Sequence, residues 1–142
     1  EDICVFYKKP PTYNPQMTDG HTRKVSKASH HVNSRETLDY GEKSWVDYDS
    51  TKRYPKSVWT FSKDTQRAAY HNTQKPLALI EEILKTYSNP GDVVLDSCAG
   101  SMTLAIAAIK TGRNYICFEK DNEIFDIGSQ RVKNYLTLQN GA

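Results

Sequence analysis

Asp92-Val93-Val94-Leu95-Asp96-Ser97-Cys98-Ala99-Gly100-Ser101, followed by a helical stretch and then Tyr115-Ile116-Cys117-Phe118-Glu119, decides the fold class. Val93–Leu95 is a short, wholly apolar run, the pattern of a strand buried in a parallel sheet. The small residues after Asp96 let the backbone approach a ligand closely. Leu104–Lys110 reads as a helix, with Gly112 placed as its C-terminal cap. A helix start there offers N–H groups and a positive dipole end to a carboxylate or phosphate. A second strand, Tyr115–Phe118, ends on Glu119. A carboxylate roughly 20 residues beyond such a turn is the usual partner of ribose hydroxyls. Strand, small-residue turn, helix, strand and acid together predict an α/β unit with a nucleoside-type pocket.

Upstream, His71-Asn72-Thr73-Gln74-Lys75-Pro76 opens another helix. Pro76 suits a first helical position, with Thr73 or Asn72 as cap. Leu77, Leu79, Ile80, Ile83, Leu84 and Tyr87 then recur at helical spacing. Asn89-Pro90-Gly91-Asp92 ends that helix with turn chemistry. Asp121 is a candidate cap for a last helix running to about Leu136. Ile3–Tyr7 reads as a strand ended by Lys8-Lys9-Pro10-Pro11. Residues Thr12–Arg67 are polar with little sustained periodicity; Ser44–Tyr48 and Ser57–Phe61 are candidate strands within them. A stretch this long without clear periodicity usually carries function.

Bulk properties bound the rest. The chain has 142 residues, 37% of them apolar, with a mean hydropathy of −0.70. That supports one core, concentrated between Leu77 and Tyr135. A net charge of +2 permits a nucleic-acid partner without requiring one. Cys4, Cys98 and Cys117 are far apart and odd in number, which fits reduced thiols in a cytoplasmic protein. His30-His31 with Cys4 fits no usual metal site. The longest apolar run is too short to span a membrane, and there is no signal-peptide pattern. Glu1 is not a Met, and a strand reading begins almost at once, so further sequence is expected upstream.

His-x-Thr-Gln-Lys-Pro, a helix, Val-Leu-Asp-x-x-x-Gly-Ser and Tyr-Ile-Cys-Phe-Glu-Lys-Asp, in that order, resemble the C-terminal half of the amino-group DNA methyltransferases. The resemblance is to the permuted class, in which the catalytic motif precedes the cofactor motif. It implies a Rossmann-like methyltransferase sheet with helices on both faces, here incomplete, plus an irregular target-recognition insertion. Residues 1–9 would be a strand of the core, 10–67 the target-recognition region and 68–142 the cofactor-binding part. It further implies methyl transfer from S-adenosyl-L-methionine to an exocyclic amino group of a flipped base in double-stranded DNA, adenine N6 ahead of cytosine N4. Carried over residue by residue, Asp96, Cys98, Ala99, Gly100, Ser101 and Thr103 would surround the methionine part of the cofactor. Thr73 and Lys75 would lie near its carboxylate, Glu119 at the ribose and Lys120 beside the adenine. Cys98 stands where the family usually has an aromatic residue, and Met102 where it has a second glycine. A side chain at Met102 is costly if that backbone needs positive φ.

The family's catalytic motif, Asp, Asn or Ser followed by Pro-Pro and an aromatic, is not in this sequence. Lys9-Pro10-Pro11-Thr12 offers no hydrogen-bond acceptor before the prolines and no stacking face after them. No catalytic residue is therefore assigned here, and an N-terminal catalytic portion outside these residues is the expected partner. For DNA contact the candidates are Arg23, Lys24, Lys27 and Arg35, in a stretch without acids, and Lys52 and Arg53 among Tyr48, Tyr54 and Trp59. Two other readings remain at this point: a non-catalytic DNA-binding module with a vestigial methyltransferase fold, and an oxidoreductase with an atypical dinucleotide turn.

Overall fold

The computed structural model describes residues 2–31, 43–62 and 74–140. The chain divides into two compact units, residues 1–14 with 58–142, and residues 15–57.

The larger unit is built on β3 (Val93–Asp96), α2 (Thr103–Thr111) and β4 (Asn114–Cys117), preceded by α1 (Leu77–Tyr87) and followed by α3 (Asn122–Asn140). β3 and β4 pair in parallel, with Val93 opposite Asn114 and Asp96 opposite Cys117. Parallel neighbours need a crossover, which α2 supplies. This is the βαβ core of a Rossmann-like α/β sheet. The turn before it forms as its residues dictate. Asn89 N–H donates to the Asp92 carboxylate at 2.7 Å, and Asp92 N–H returns a bond to the Asn89 carbonyl at 3.1 Å. Gly112 caps α2 at φ +74°, left-handed backbone that glycine adopts without strain. Asp121 accepts from Glu123 N–H at 2.9 Å and Ile124 N–H at 3.0 Å, capping α3 as its sequence predicts. α3 continues past Leu136 to Asn140.

The core forms around α2. Ala105, Ala107 and Ala108 are wholly buried. One cluster joins Ala99, Met102, Ala105, Ile106 and Val132, with Leu77, Ile109, Cys117 and Tyr135 packed against it. The other joins Leu84, Ala107 and Ala108 with Leu77, Ile80, Val94 and Leu104. Alanine along α2 lets neighbouring elements approach closely. Arg113 is buried between elements, donating to the Ser88 carbonyl at 2.8 Å, the Ser88 hydroxyl at 3.3 Å and the Thr111 carbonyl. Lys110 and Lys85 both pair with Glu81. At the other end of the sequence, Asn14 donates to the Ser88 carbonyl at 3.2 Å and packs its neighbour Tyr13 against Tyr87.

Several expectations change. Val93 and Leu95 are 63% and 61% exposed, so β3 is covered only on its Val94 side. Ile116, opposite Leu95, is exposed too. The described helices supply one layer of the sheet, which is the incompleteness the resemblance implied. Residues 2–9 do not form a strand; the chain is irregular and Phe6 is 91% exposed. A strand exists only through ladder hydrogen bonds, and the described residues offer this segment no partner. Ser57–Phe61 is irregular for the same reason, with Trp59 and Phe61 in edge contact. Pro76 sits just before α1, not in its first position, at φ −57° and ψ 129°.

The smaller unit holds β1 (Lys24–His31) and β2 (Lys43–Ser50), an antiparallel pair running from Lys24 opposite Ser50 to His31 opposite Lys43. A bridge between Thr18 and Arg53 extends it. β2 contains the expected Ser44–Tyr48 strand. β1 lacks alternating polarity and is not legible as a strand.

Candidate functional site

The turn between β3 and α2 is laced to the end of β4. Asp96 accepts from Cys98 N–H at 3.0 Å, closing a local Asx turn. Phe118 N–H donates to the Asp96 carbonyl at 2.8 Å, and Ala99 N–H donates to the Phe118 carbonyl at 2.9 Å. Gly100 then takes φ +49° and Met102 φ +60°, ψ 35°. Nothing crowds a Cβ at Gly100, so glycine serves the backbone angle there. Met102 adopts left-handed backbone with a side chain, a cost of about 1–2 kcal/mol. It is 3% exposed and anchors the turn in the core. α2 therefore starts without a side-chain cap and without an acid in its first turn. Its leading N–H groups and positive dipole end keep their capacity for an anion.

Glu119 closes the other side. Its carboxylate accepts from Gly100 N–H at 2.8 Å, Lys120 N–H at 2.9 Å and Asp121 N–H at 3.0 Å. The Asp121 and Gly100 amides hold its carboxyl below the usual carboxylate range, against a smaller opposing effect of desolvation. A carboxylate has roughly four acceptor directions, so three amides leave room for one more donor. Cys117, half-buried beside Asp96, has its thiol pushed up to about 11 by burial first and the Asp96 charge second.

α3 supports the turn from behind. Arg131 donates to the Ser101 carbonyl at 2.7 Å, to Thr103 Oγ1 at 3.2 Å and to Ser101 Oγ at 3.3 Å. Ser101 and Thr103 are 4% and 7% exposed, their hydroxyls turned to this guanidinium. Gly128, one helical turn earlier, lies against the turn: a Cβ there would meet Met102 Cγ at 2.6 Å and the Gly100 carbonyl oxygen at 2.8 Å.

In the smaller unit, Arg23 donates to both Asp49 oxygens, Nε at 2.8 Å and Nη2 at 2.6 Å. The pair raises the Arg23 pKa and lowers that of Asp49, each through this bond. Arg53 donates to the carbonyls of Ser50 at 3.0 Å, Lys52 at 2.7 Å and Thr22 at 2.7 Å, and Lys52 lies 3.7 Å from Asp19.

The family model described as DNA methylase, of the N6/N4 type, matches residues 1–130. The chain belongs to the N6/N4 DNA methylase family. It is 38% identical over 101 residues to the DNA adenine methyltransferase YhdJ of Escherichia coli K12, covering 69% of this chain and 34% of that protein. It is 33% identical over 90 residues to the type II methyltransferase M.HinfI of Haemophilus influenzae, covering 58% of this chain and 25% of that protein. The chain thus spans about a third or less of these curated relatives. The crystal structure of an M1.HpyAVI–SAM complex is 26% identical, with a TM-score of 0.49 over 74% of this chain and 44% of that one.

Of the residues singled out from sequence, Asp96, Cys98, Ala99, Gly100, Ser101, Thr103, Glu119 and Lys120 come together around one turn. Cys98 and Lys120 are exposed; Ala99, Ser101 and Thr103 are buried. Lys75 is exposed just ahead of α1, whose Leu77 packs on the Ala99–Met102 cluster. Thr73, with His71 and Asn72, lies outside the described residues, as does Arg35. Lys24 is exposed at the start of β1, and Lys27 stands opposite Asp47 in the ladder. Arg23 and Arg53 are engaged with their own unit, which the stretch around them did not reveal: Asp49 is distant in sequence and meets Arg23 only through strand pairing. Arg131 and Gly128 were missed, while the positive φ weighed for Met102 is found. The visible signal was the spacing Gly128–Arg131–Val132–Tyr135, which sets these residues on one face of α3.

No helix among the described residues is long and apolar enough to cross a membrane. Nor do the described residues include a cluster of three or more His, Cys, Asp or Glu side chains suited to a metal ion.

Proposed function

We propose that this chain is the cofactor-binding and target-recognition part of a site-specific DNA methyltransferase. The reaction is methyl transfer from S-adenosyl-L-methionine to an exocyclic amino group of a flipped base, adenine N6 ahead of cytosine N4. The observation that carries this is the uncapped start of α2 beside Gly100, closed by the Glu119 carboxylate at the end of β4. Family membership and the adenine-specific name of one relative support the choice of reaction and base.

The donor set fits the cofactor. The α2 N-terminus and exposed Lys75 suit a carboxylate; Glu119 has an acceptor direction left for a ribose hydroxyl; exposed Lys120 can flank the adenine. When bound, S-adenosyl-L-methionine supplies a methyl group activated on sulfonium. The residues present here bind and orient. Asp96, Cys98, Ala99, Gly100, Ser101 and Thr103 form the wall along the methionine part, mostly through backbone, since Ser101 and Thr103 turn their hydroxyls to Arg131. The group that accepts hydrogen bonds from the target amine is supplied by sequence outside this chain. In the smaller unit, Lys24, Lys27 and Lys52 are the phosphate-contact candidates. Arg23 and Arg53 contribute after exchanging or sharing their present partners, and Arg35 completes the basic stretch.

The test uses the full gene product, double-stranded DNA and isotopically labelled S-adenosyl-L-methionine, with nucleoside analysis of the digested DNA. Labelled N6-methyladenine is the expected product. Label in N4-methylcytosine would move the base assignment. DNA binding without cofactor binding or label would favour the non-catalytic module. Turnover by these 142 residues alone would overturn the assignment of the catalytic group to other sequence.

A further inference from the structure

We infer that Arg131, on α3, is a positioning residue for the cofactor turn, with Gly128 as the contact point that lets α3 reach it. The inference rests on the reading of that turn as the methyl-donor site and adds a part of it that no turn motif contains. Three features converge. Arg131 binds the Ser101 carbonyl and both buried hydroxyls, so one guanidinium spans the last residue before Met102 and the first residue of α2. Those bonds reach a turn whose Met102 holds strained left-handed backbone, a conformation that persists only where its surroundings enforce it. And Gly128 is buried where a side chain would strike the Gly100 carbonyl, which is backbone and has no rotamer to yield.

The arrangement also carries charge. The Arg131 cation stands beside the α2 start, which has no side-chain cap and no acid in its first turn. A cation beside the positive end of a helix favours an anionic group there. The part of the cofactor that senses this is its amino-acid end, not its adenosine. Arg131 does not itself touch the ligand; it fixes the turn and the first residue of α2.

The test is a comparison of two nucleosides on the full gene product, by calorimetric titration. S-adenosyl-L-methionine carries the amino-acid end; 5′-methylthioadenosine lacks it. Arg131→Ala is expected to weaken S-adenosyl-L-methionine by about tenfold or more while leaving 5′-methylthioadenosine within about twofold, since only the former depends on charge-assisted contacts at the turn. Arg131→Lys, which keeps the charge but not the fork, is expected to show a smaller loss with the same asymmetry. Gly128→Ala displaces Gly100, whose N–H holds Glu119, and is expected to weaken both nucleosides. If Arg131→Ala does not fold, Arg131→Lys decides. Equal losses for both nucleosides in the Arg131 variants would reduce Arg131 to a purely structural role, and unchanged S-adenosyl-L-methionine binding would remove it from the site; either overturns the inference. Wild-type protein that binds neither nucleoside overturns the inference together with the reading of the site.

Discussion

Met102→Gly restores the residue that the family pattern places at this position, and on backbone grounds it should stabilise. Met102 sits at φ +60°, and relief of left-handed strain is worth about 1–2 kcal/mol. Two effects oppose this. Met102 is 3% exposed and belongs to the cluster with Ala99, Ala105, Ile106 and Val132. Removing a buried Met side chain typically costs about 2–5 kcal/mol, lost transfer energy and cavity together. Glycine also widens the unfolded ensemble, at about 0.5–1 kcal/mol. The balance is destabilising, by about 0.5–5 kcal/mol. Equilibrium urea unfolding of the full gene product, wild type against Met102→Gly, reads it directly, provided the denaturant slope is unchanged. The same variant removes the Cγ that lies 2.6 Å from a Cβ at Gly128, though not the Gly100 oxygen at 2.8 Å. Gly128→Ala should therefore cost less in the Met102→Gly background than in wild type, a coupling that a double-mutant cycle measures. A Met102→Gly protein more stable than wild type would refute the reasoning, because it would show that strain, not burial, governs this residue.

Glu119→Gln leaves one carbonyl oxygen where two carboxylate oxygens take three amide N–H groups, so hydrogen exchange at Gly100 should accelerate and cofactor affinity should fall. Because the folded-state pKa of Glu119 lies below its ordinary value of 4.5, its stabilising contribution is present above that value and lost as pH falls through the depressed one. The Tm gap between wild type and Glu119→Gln should accordingly narrow on acidification below about pH 4.5; a gap that holds constant would contradict the assignment. Arg113→Ala strips three acceptors of a buried partner and should cost about 2–4 kcal/mol by urea unfolding; a change within about 0.5 kcal/mol would show that water replaces it freely. With its thiol pushed up to about 11 and half-buried, Cys117 should resist iodoacetamide at pH 8, while exposed Cys4 and Cys98 label first in a mass-spectrometric time course. Preferential labelling of Cys117 would contradict its placement.

What the sequence disclosed was local. α1 follows from apolar spacing, the turn at 89–92 from Asn-Pro-Gly-Asp, the end of α2 from Gly112 and the start of α3 from Asp121, because each signal lies within a few residues of the structure it causes. The residues from Asp96 to Thr103 gather at one turn for the same reason, and Glu119 joins them because βαβ geometry returns β4 beside β3. What escaped was decided by distant partners. β1 has a basic, unpatterned sequence and becomes a strand only by pairing with Lys43–Ser50. Ile3–Tyr7 has strand composition but no ladder among the described residues, and composition cannot supply one. Val93–Leu95 reads as buried on both faces, yet only its Val94 side is covered.

The proposed cofactor turn shows the same division. Its chemistry is written in adjacent residues: small side chains, an uncapped helix start and an acid at the next strand end. Its conformation is not. Met102 keeps its left-handed backbone because the core buries its side chain, and the turn stays where it is because Arg131 and Gly128, about 30 residues on, bind it and make room for it. A short motif can therefore specify what the turn offers a ligand while leaving unspecified what holds the turn in place. In this chain a side chain at Met102 is tolerable for that reason: the left-handed backbone that glycine would reach without strain is here enforced by the core and α3. Cofactor affinity should then depend on α3 packing more steeply than on the side chains of the motif itself, which is the asymmetry that the Arg131 and Gly128 variants expose.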